Sequence, residues 1–342
     1  MPNNTYSTSG VNIDAGLEAV ERMKESVRST WGARVLGEFG AFAGMFDASG
    51  DERGDVLAMT IDGVGTKLKV ACRARRYASV GADLVNHCTD DLLVSRARPI
   101  LFADYFATTD LEPAVVAEAV GGMAEACRAV GCSLVAGETA EMPGVYCEGE
   151  IDLVGCMIGL ARKSELESAE PVQPGDVLLG LPSTGLHTNG YSLARHLCFA
   201  VQGWDVDTDV PELEGTIGDA LLAVHREYLT AVEPLLSDPA LHGMAHITGG
   251  GLIDNVVRSL PEGCEAHIDT TTWQPLPIFD LLVGIGELPK NEAYRTFNMG
   301  VGYVLIVALG DADRIRASLT ERGEIVHQIG EVREGRRSVI LD

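Results

Sequence analysis

The chain has 342 residues, of which 46% are hydrophobic, so it is long enough to bury a substantial core in two domains. Its formal charge of −24 opposes binding to phosphate backbones, and we expect no nucleic-acid partner. The start, MPNNTYSTSGVNID, lacks the basic and apolar regions of a targeting signal, and no apolar run is long enough to cross a membrane. We therefore expect a cytoplasmic protein with no membrane partner.

The first half of the chain predicts alternating helices and strands. An amphipathic pattern predicts a helix in IDAGLEAVERMKESV, and the glycine-rich residues 35–46 predict either a ligand-covering loop or an irregular surface segment. Helices are predicted near residues 77–95 and 111–130. Apolar runs predict strands in VLAMTI, LKVAC, ILFADYFA, CSLVAG and IDLVGCMIGLA. These elements indicate an α/β or α+β domain.

A polar, acidic segment with two prolines, KSELESAEPVQPGD, predicts a boundary between a domain of residues 1–165 and one of residues 172–342. After it, the predicted strand VLLGL leads through the glycine-rich turn STGLHTNGYSL into a helix, and AHITGGGLIDNVV repeats this arrangement. Strands and helices then alternate through EAHID, VGYVLIVAL, DADRIRASLTERG and EIVHQIGEV. The second half is therefore predicted to be an α/β domain.

Carboxylates recur near predicted strand ends or in the predicted helix HCTDDLLV: Asp62, Asp90, Asp91, Asp104 and Glu138. If they converge, their oxygens suit Mg²⁺ bound together with nucleotide phosphates. Taken singly, each is more simply explained as a solvated charge or a helix cap. The loop between VLAMTI and LKVAC is either a phosphate-binding loop or a hairpin turn, because its Asp-Gly pair is also a hairpin-turn signal.

Two glycine-rich turns precede predicted helices, where backbone amides can bind an anion. In GLHTNGYSLARHL, Asn189 or Thr188 can cap the helix, and His187 is either a turn residue or an acid, base or charge stabiliser beside an anion. In HITGGGLIDNVV, Gly249 to Gly251 permit close approach of a phosphate; the alternative is a flexible helix entry.

The order of these segments resembles the phosphoribosylformylglycinamidine cyclo-ligase family, the aminoimidazole ribonucleotide synthetases of purine biosynthesis. The resemblance spans nearly the whole chain and rests on TIDGVGTKLKVA, CTDDLLV, LFADYFAT, VAGETAEMPGVY, GLHTNGYSL, AHITGGGL and YRTFNMGVG. It implies an N-terminal mixed sheet that forms a barrel across a homodimer interface, followed by a C-terminal α/β domain. It also implies ring closure of formylglycinamidine ribonucleotide, driven by ATP and Mg²⁺ through a phosphorylated formyl oxygen.

The resemblance also implies roles for individual residues. The nucleotide site comprises Asp62, Gly63, Gly65, Thr66, Lys67 and Asp91, with Asp62 and Asp91 as metal ligands. The implied catalytic residues are His187, Lys67 and Glu138, and the implied substrate-phosphate site is Thr248, Gly249, Gly250 and Gly251. The chain departs from the family pattern with alanine for glycine at Ala41 and Ala43, aspartate for asparagine at Asp90, and arginine for glycine at Arg96.

Two alternatives compete with this interpretation. Another ATP-dependent member of the superfamily, acting on a different substrate, shares the carboxylate pattern, but GETAEMPG, HITGGG and RTFNMG resemble the cyclo-ligase specifically. A selenophosphate synthetase is expected to carry a reactive cysteine in its N-terminal loop, and residues 1–71 contain none. The other alternative is a silent nucleotide-binding scaffold, which the retention of every candidate ligand disfavours.

Overall fold

The computed structural model describes residues 13–48 and 54–342 of the chain. Most of the N-terminal segment in which we expect no targeting signal lies outside these residues. Two six-stranded sheets organise the described chain, and the change from one sheet to the other falls between Arg162 and Val177. The architecture is therefore mixed α/β, with one sheet in each half of the chain.

The first sheet has the strand order β1-β2-β3-β6-β4-β5, in which only β4 and β5 run parallel. The elements of this half are α1 (Ile13–Arg28), β1 (Val35–Leu36), β2 (Gly44–Asp47), β3 (Asp55–Gly63), α2 (Leu68–Ala74), α3 (Ala78–Val94), β4 (Arg98–Thr108), α4 (Pro113–Ala129), β5 (Ser133–Glu141), β6 (Ile151–Arg162) and α5 (Lys163–Glu167).

Helix α3 packs against the inner face of this sheet and against α4. Two glycines allow the two helices to approach this closely. A Cβ at Gly81 would lie 2.0 Å from the carbonyl oxygen of Ala119, and one at Gly122 would lie 1.9 Å from that of Ala78. Any side chain at either position would push the helices apart, so these glycines set the position of α3, which carries Asp91.

The second sheet has the strand order β10-β12-β7-β13-β11-β14, with β12 buried along its whole length. The elements of this half are β7 (Val177–Pro182), α6 (Tyr191–Arg195), β8 (Asp209–Val210), β9 (Gly215–Thr216), α7 (Ile217–Leu221), α8 (Leu229–Val232), β10 (Leu241–His246), α9 (Gly251–Val256), β11 (Cys264–Ile268), α10 (Pro277–Gly286), α11 (Lys290–Thr296), β12 (Val301–Val307), α12 (Ala312–Glu321), β13 (His327–Glu334) and β14 (Ser338–Leu341).

Most predicted elements are confirmed, including the N-terminal helix, the helices that became α3 and α4, and the strands of the second half. The prediction for LKVAC is wrong, because these residues form helix α2 and not a strand. The segment 35–46 is not wholly irregular, since β1 pairs with β2 in a short antiparallel hairpin. No side chain caps α6, which begins after Gly190, so the predicted cap by Asn189 or Thr188 is also wrong.

The two halves are joined by buried polar contacts that start from α3 and the residues around it. The Arg96 guanidinium, which is only 5% exposed, donates hydrogen bonds to the carbonyl oxygens of Leu236 and Leu241 in the second half. Arg96 has a φ of 55°, a conformation that favours glycine. The arginine therefore takes on some backbone strain but links α3 to the second sheet.

Candidate functional site

A cavity of about 340 Å³ lies where β3, α3 and the second half of the chain meet. Its lining includes Asp62, His87, Asp91, Asn189, Thr248, Gly249 and Arg258. The structure thus brings together the two predicted metal ligands and the start of the predicted phosphate segment. Ala41 and Phe42 also line the cavity, so part of the N-terminal loop does cover it.

Asp62 and Asp91 face each other in this cavity. Asp62 lies near the end of β3, where the Thr60 hydroxyl donates to its Oδ2 at 3.0 Å, and Asp91 is 7% exposed on α3. Burial, reinforced by the neighbouring Asp62 carboxyl, raises the pKa of Asp91 to about 8. Two carboxylates this close repel each other until a proton or a cation lies between them. Their oxygens suit Mg²⁺, so the residues present fit the implied metal.

Asp90 points away from this pair. Its Oδ1 accepts a hydrogen bond from the backbone N–H of Tyr228 at 2.8 Å, and its Oδ2 lies 3.4 Å from His225 Nε2. Complete burial raises the pKa of Asp90 well above its ordinary value. Asp104 and Glu138 lie in the middle of β4 and β5, not at strand ends as predicted. Of the five carboxylates expected to converge, only Asp62 and Asp91 line the cavity.

Buried histidines surround the carboxylate pair: His87, His187, His225 and His246. His246 Nδ1 lies 2.7 Å from Asp91 Oδ1, and His225 Nε2 lies 3.0 Å from His246 Nε2. Thr188 Oγ1 lies 3.4 Å from His225 Nδ1 and 2.7 Å from His87 Nδ1. His87 Nε2 completes the series at 3.4 Å from Asp62 Oδ1.

One set of protonation states satisfies the hydrogen bonds that run from Asp91 through the histidines and Thr188 to His87. If His246 donates its Nδ1–H to Asp91, the Nε2 of neutral His246 accepts, and the proton of the contact between the two Nε2 atoms belongs to His225. His225 Nδ1 then accepts from the Thr188 hydroxyl, which accepts in turn from His87. Burial lowers the pKa of His246 to about 3 and holds that of His225 well below its ordinary range. Both imidazoles therefore stay neutral, and the chain of contacts fixes the orientation of Asp91.

Sequence reasoning missed these histidines except His187, although one signal was present. His87 and Asp91 are four residues apart on α3, which places them on one face of the helix. His246 ends β10, two residues before Thr248 of the glycine segment. His225 lies outside any strand or helix, and its neighbours in sequence give no comparable signal.

The structure places Lys67 away from the cavity. Its ammonium is fully buried, 2.7 Å from Asp83 Oδ2, and donates to the carbonyl oxygens of His187 and Ala223 at 3.1 and 2.7 Å. Burial lowers the pKa of Lys67 and raises that of Asp83. This geometry does not support a direct phosphate contact. It makes Lys67 and Asp83 a buried ion pair that links the loop after β3 to the second half.

His187 is also fully buried, with a φ of 62°. The Thr184 N–H donates to its Nε2 at 3.3 Å, its Nδ1 has no partner among the described residues, and its ring stacks on that of His225 at 4.0 Å. Burial, reinforced by neighbouring positive groups, holds the pKa of His187 well below its ordinary value. His187 is therefore a neutral group behind the cavity wall and does not line the cavity.

The glycine segment has structural reasons for two of its glycines. Gly250 has a φ of 94°, and a Cβ at Gly251 would lie 1.9 Å from the carbonyl oxygen of Tyr294. The Asn255 side-chain amide stabilises the segment by donating to the carbonyl oxygens of Thr248, Gly249 and Gly251. The backbone conformation at Gly250 and the close packing at Gly251 therefore account for these two glycines without a ligand. Gly249 lines the cavity and is the glycine best placed to contact one.

The remaining predicted nucleotide contacts lie at the edge of this region. Gly63 ends β3, Gly65 has a φ of 71°, and the Thr66 hydroxyl lies 3.1 Å from that of Ser192. Glu138 is exposed on β5. None of these residues lines the cavity that contains Asp62 and Asp91.

Comparison with known proteins defines the class of protein first. Residues 42–161 match the model of the AIR synthase related protein, N-terminal domain, and residues 173–342 match that of the C-terminal domain. A Thermus thermophilus protein, tt0281, has a TM-score of 0.64 at 21% identity, covering 94% of this chain and 95% of its own. AaThiL, solved with AMPPCP and TMP, also has a TM-score of 0.64, at 14% identity and covering 95% and 93%. These likenesses show the fold.

Sequence relatives then define the family. The phosphoribosylformylglycinamidine cyclo-ligase of Trichlorobacter lovleyi is 44% identical over 333 residues, which cover 97% of this chain and 95% of the relative. The enzyme of that name from Alkaliphilus metalliredigens is 41% identical over 342 residues, covering 100% and 99%. The chain belongs to the phosphoribosylformylglycinamidine cyclo-ligase family. Within the described residues, no helix combines the length and apolarity needed to span a bilayer.

Proposed function

We propose that the chain closes the imidazole ring of formylglycinamidine ribonucleotide in purine biosynthesis, converting ATP to ADP and phosphate and forming aminoimidazole ribonucleotide. Family membership supports this substrate. The structural observation that carries the proposal is the single cavity in which the facing carboxylates Asp62 and Asp91 meet Thr248 and Gly249 of the glycine segment. A metal-nucleotide site beside a phosphate-binding segment is what a phosphoryl transfer between two bound molecules requires.

The chemistry explains why ATP is needed. An amide oxygen is a poor leaving group, because its direct expulsion would release hydroxide or oxide. A phosphate ester of the same oxygen leaves as a stabilised anion, so activation precedes attack by the amidine nitrogen. Bound Mg²⁺ would neutralise charge on the phosphates of ATP. Asp62 and Asp91 would hold that ion, and the Gly249 backbone would position the substrate phosphate.

We assign Lys67 and His187 a positioning role in this reaction. Neither side chain has exposed surface, and the Lys67 ammonium donates to the carbonyl oxygen of His187. Together with Asp83, which accepts from the His225 N–H at 2.7 Å, Lys67 fixes the backbone of two histidines behind the carboxylate pair. The substrate contact implied for Glu138 stays a prediction.

We further propose that two copies of the chain associate through the first sheet. Its helices cover one face, while the other exposes apolar side chains, including Met59 (49% exposed) and Ile61 (63%) on β3. The register places Met59, Ile158 and Leu101 in one row across three strands. An apolar sheet face requires a covering layer, and the family resemblance implies a second copy. The small-molecule substrate and ATP are consistent with the cytoplasmic location that we propose.

Release of ADP with formylglycinamidine ribonucleotide tests the proposed activity. Purified chain, MgATP and this substrate should yield equal amounts of ADP and aminoimidazole ribonucleotide, measured by coupled assay and mass spectrometry. The matched control is Asp62→Asn, which is nearly isosteric and should lose most of the turnover. Turnover with selenide or thiamine phosphate, but not with formylglycinamidine ribonucleotide, would assign the chain to another reaction of the superfamily.

A further inference from the structure

Arg258 lies at the junction of two cavities. It follows helix α9 and lines the cavity of Asp62 and Asp91, together with a neighbouring cavity of about 760 Å³ whose lining includes Phe39, His242 and Arg337. Ala41 also lines both cavities. A ligand that extends from one cavity into the other therefore passes the Arg258 side chain.

Arg258 supplies a positive charge that the carboxylate cavity otherwise lacks. Among the described residues that line this cavity, Arg258 is the only lysine or arginine. No carboxylate within the described part of the chain forms a salt bridge with it, although its charge acts on the nearby Asp91 carboxyl. The guanidinium contacts Asn255 Oδ1, through a 3.4 Å hydrogen bond from Nη1, and the ring of Phe42.

Phe42 holds the guanidinium in place. The Arg258 Cζ lies 4.6 Å from the centroid of the Phe42 ring, a distance at which a cation is attracted to an aromatic face. Phe42 is 9% exposed and belongs to the N-terminal loop, whereas Arg258 belongs to the second half. The stacked guanidinium can still offer N–H donors in its plane, which is the geometry that binds a phosphate with two hydrogen bonds.

Charge balance requires such a group. Two carboxylates repel a polyphosphate, and a bound divalent cation offsets only those two charges. The family resemblance places Lys67 in the nucleotide site, but that ammonium is buried against Asp83. Among the described lysines and arginines, Arg258 is the one that lines this cavity.

We propose that Arg258 binds a phosphate group at this junction, either the terminal phosphates of ATP or the 5′-phosphate of the ribonucleotide substrate. The inference rests on the proposed function for the identity of these two ligands. Arg258 thereby acts as a substrate-binding residue, and the stack on Phe42 couples phosphate binding to the position of the N-terminal loop.

Direct binding measurements test the proposal without turnover. Calorimetric titration of the full chain uses two probes separately: the magnesium complex of AMP-PNP, and formylglycinamidine ribonucleotide. Arg258→Gln should raise the Kd of one probe about 10- to 100-fold, the loss expected for a charge-assisted hydrogen bond, and the affected probe identifies which phosphate is bound. Arg333→Gln, an exposed arginine of β13 outside both cavities, is the matched control and should leave both Kd values within about twofold of wild type.

Two further variants keep the test decisive. Arg258→Lys retains the charge but loses the planar donor pair, so it should raise the same Kd by a smaller factor, about 3- to 10-fold. Phe42→Leu removes the ring that holds the guanidinium and should also raise the Kd of the same probe. Unchanged affinity for both probes in Arg258→Gln and Arg258→Lys would overturn the proposal. If the wild-type protein binds the nucleotide but not formylglycinamidine ribonucleotide, the proposed substrate is wrong. The nucleotide titration of the Arg258 variants then still tests the role of Arg258.

Discussion

Replacing Lys67 by methionine should destabilise the folded chain by about 3–5 kcal/mol, because the change leaves the Asp83 carboxylate buried without its cation. Both side chains have no exposed surface, and the ammonium also donates to the carbonyl oxygens of His187 and Ala223. Burial dominates the pKa shifts of both partners, so desolvation is the larger effect at this site. Removal of one partner should therefore lower the free energy of unfolding by more than the intact ion pair contributes to it.

Thermal and denaturant unfolding measure this loss. About 1 kcal/mol lowers the melting temperature of a domain of 150–250 residues by 2–4 °C, so the expected decrease is roughly 6–20 °C. The matched control is Lys69→Met. Lys69 is 39% exposed and pairs with Glu150 at the surface, so its loss should cost about 0–1 kcal/mol.

The double variant Lys67→Met/Asp83→Leu should recover much of the stability, because it removes both buried charges. A Lys67→Met protein that melts within about 2 °C of wild type but has a strongly raised KM for ATP would refute this reasoning. That result would support the direct nucleotide contact that the family resemblance implies for Lys67.

Three other predictions follow from packing, exposure and charge. Gly251→Ala should cost about 2–4 kcal/mol in denaturant unfolding, because its Cβ would meet the carbonyl oxygen of Tyr294 at 1.9 Å; wild-type stability would contradict this close approach. In light scattering, Ile61→Asp should convert a dimer into a monomer, whereas Ile325→Asp, equally exposed at 63%, should not; a dimer in both variants would place the interface elsewhere. Mg²⁺ at 100 times its Kd should stabilise wild type by about 2.7 kcal/mol, and Asp62→Asn should remove this gain; an equal gain in the variant would exclude Asp62 as a ligand.

The sequence predicted the elements that have a clear period and the carboxylates that the motifs share. Helix α3 was predicted from HCTDDLLV and its surroundings, and it does carry Asp91 into the cavity. LKVAC was misassigned because a short, mostly apolar run of five residues fits a strand or a buried helix turn equally well. Asp104 and Glu138 were placed at strand ends because sequence patterns locate element boundaries poorly.

The predicted role of Lys67 shows what local patterns cannot provide. A lysine after a glycine-rich loop has the same local sequence whether it meets a phosphate or a buried carboxylate. Asp83 lies 16 positions further along the chain, and only the packing of α3 against the loop brings the pair together. The contact between His225 and His246 is likewise tertiary, since it joins a segment before α8 to the end of β10. Arg258 escaped notice because its proposed role depends on a cavity that several distant segments form.

The fate of the formyl oxygen tests the proposed reaction most directly. Formylglycinamidine ribonucleotide labelled with ¹⁸O in the formyl group is incubated with the chain and MgATP, and the released phosphate is analysed by mass spectrometry. If the cavity of Asp62 and Asp91 supports phosphorylation of that oxygen, the label appears in inorganic phosphate in proportion to ring closure. Label found only in water would contradict activation of the formyl oxygen by ATP.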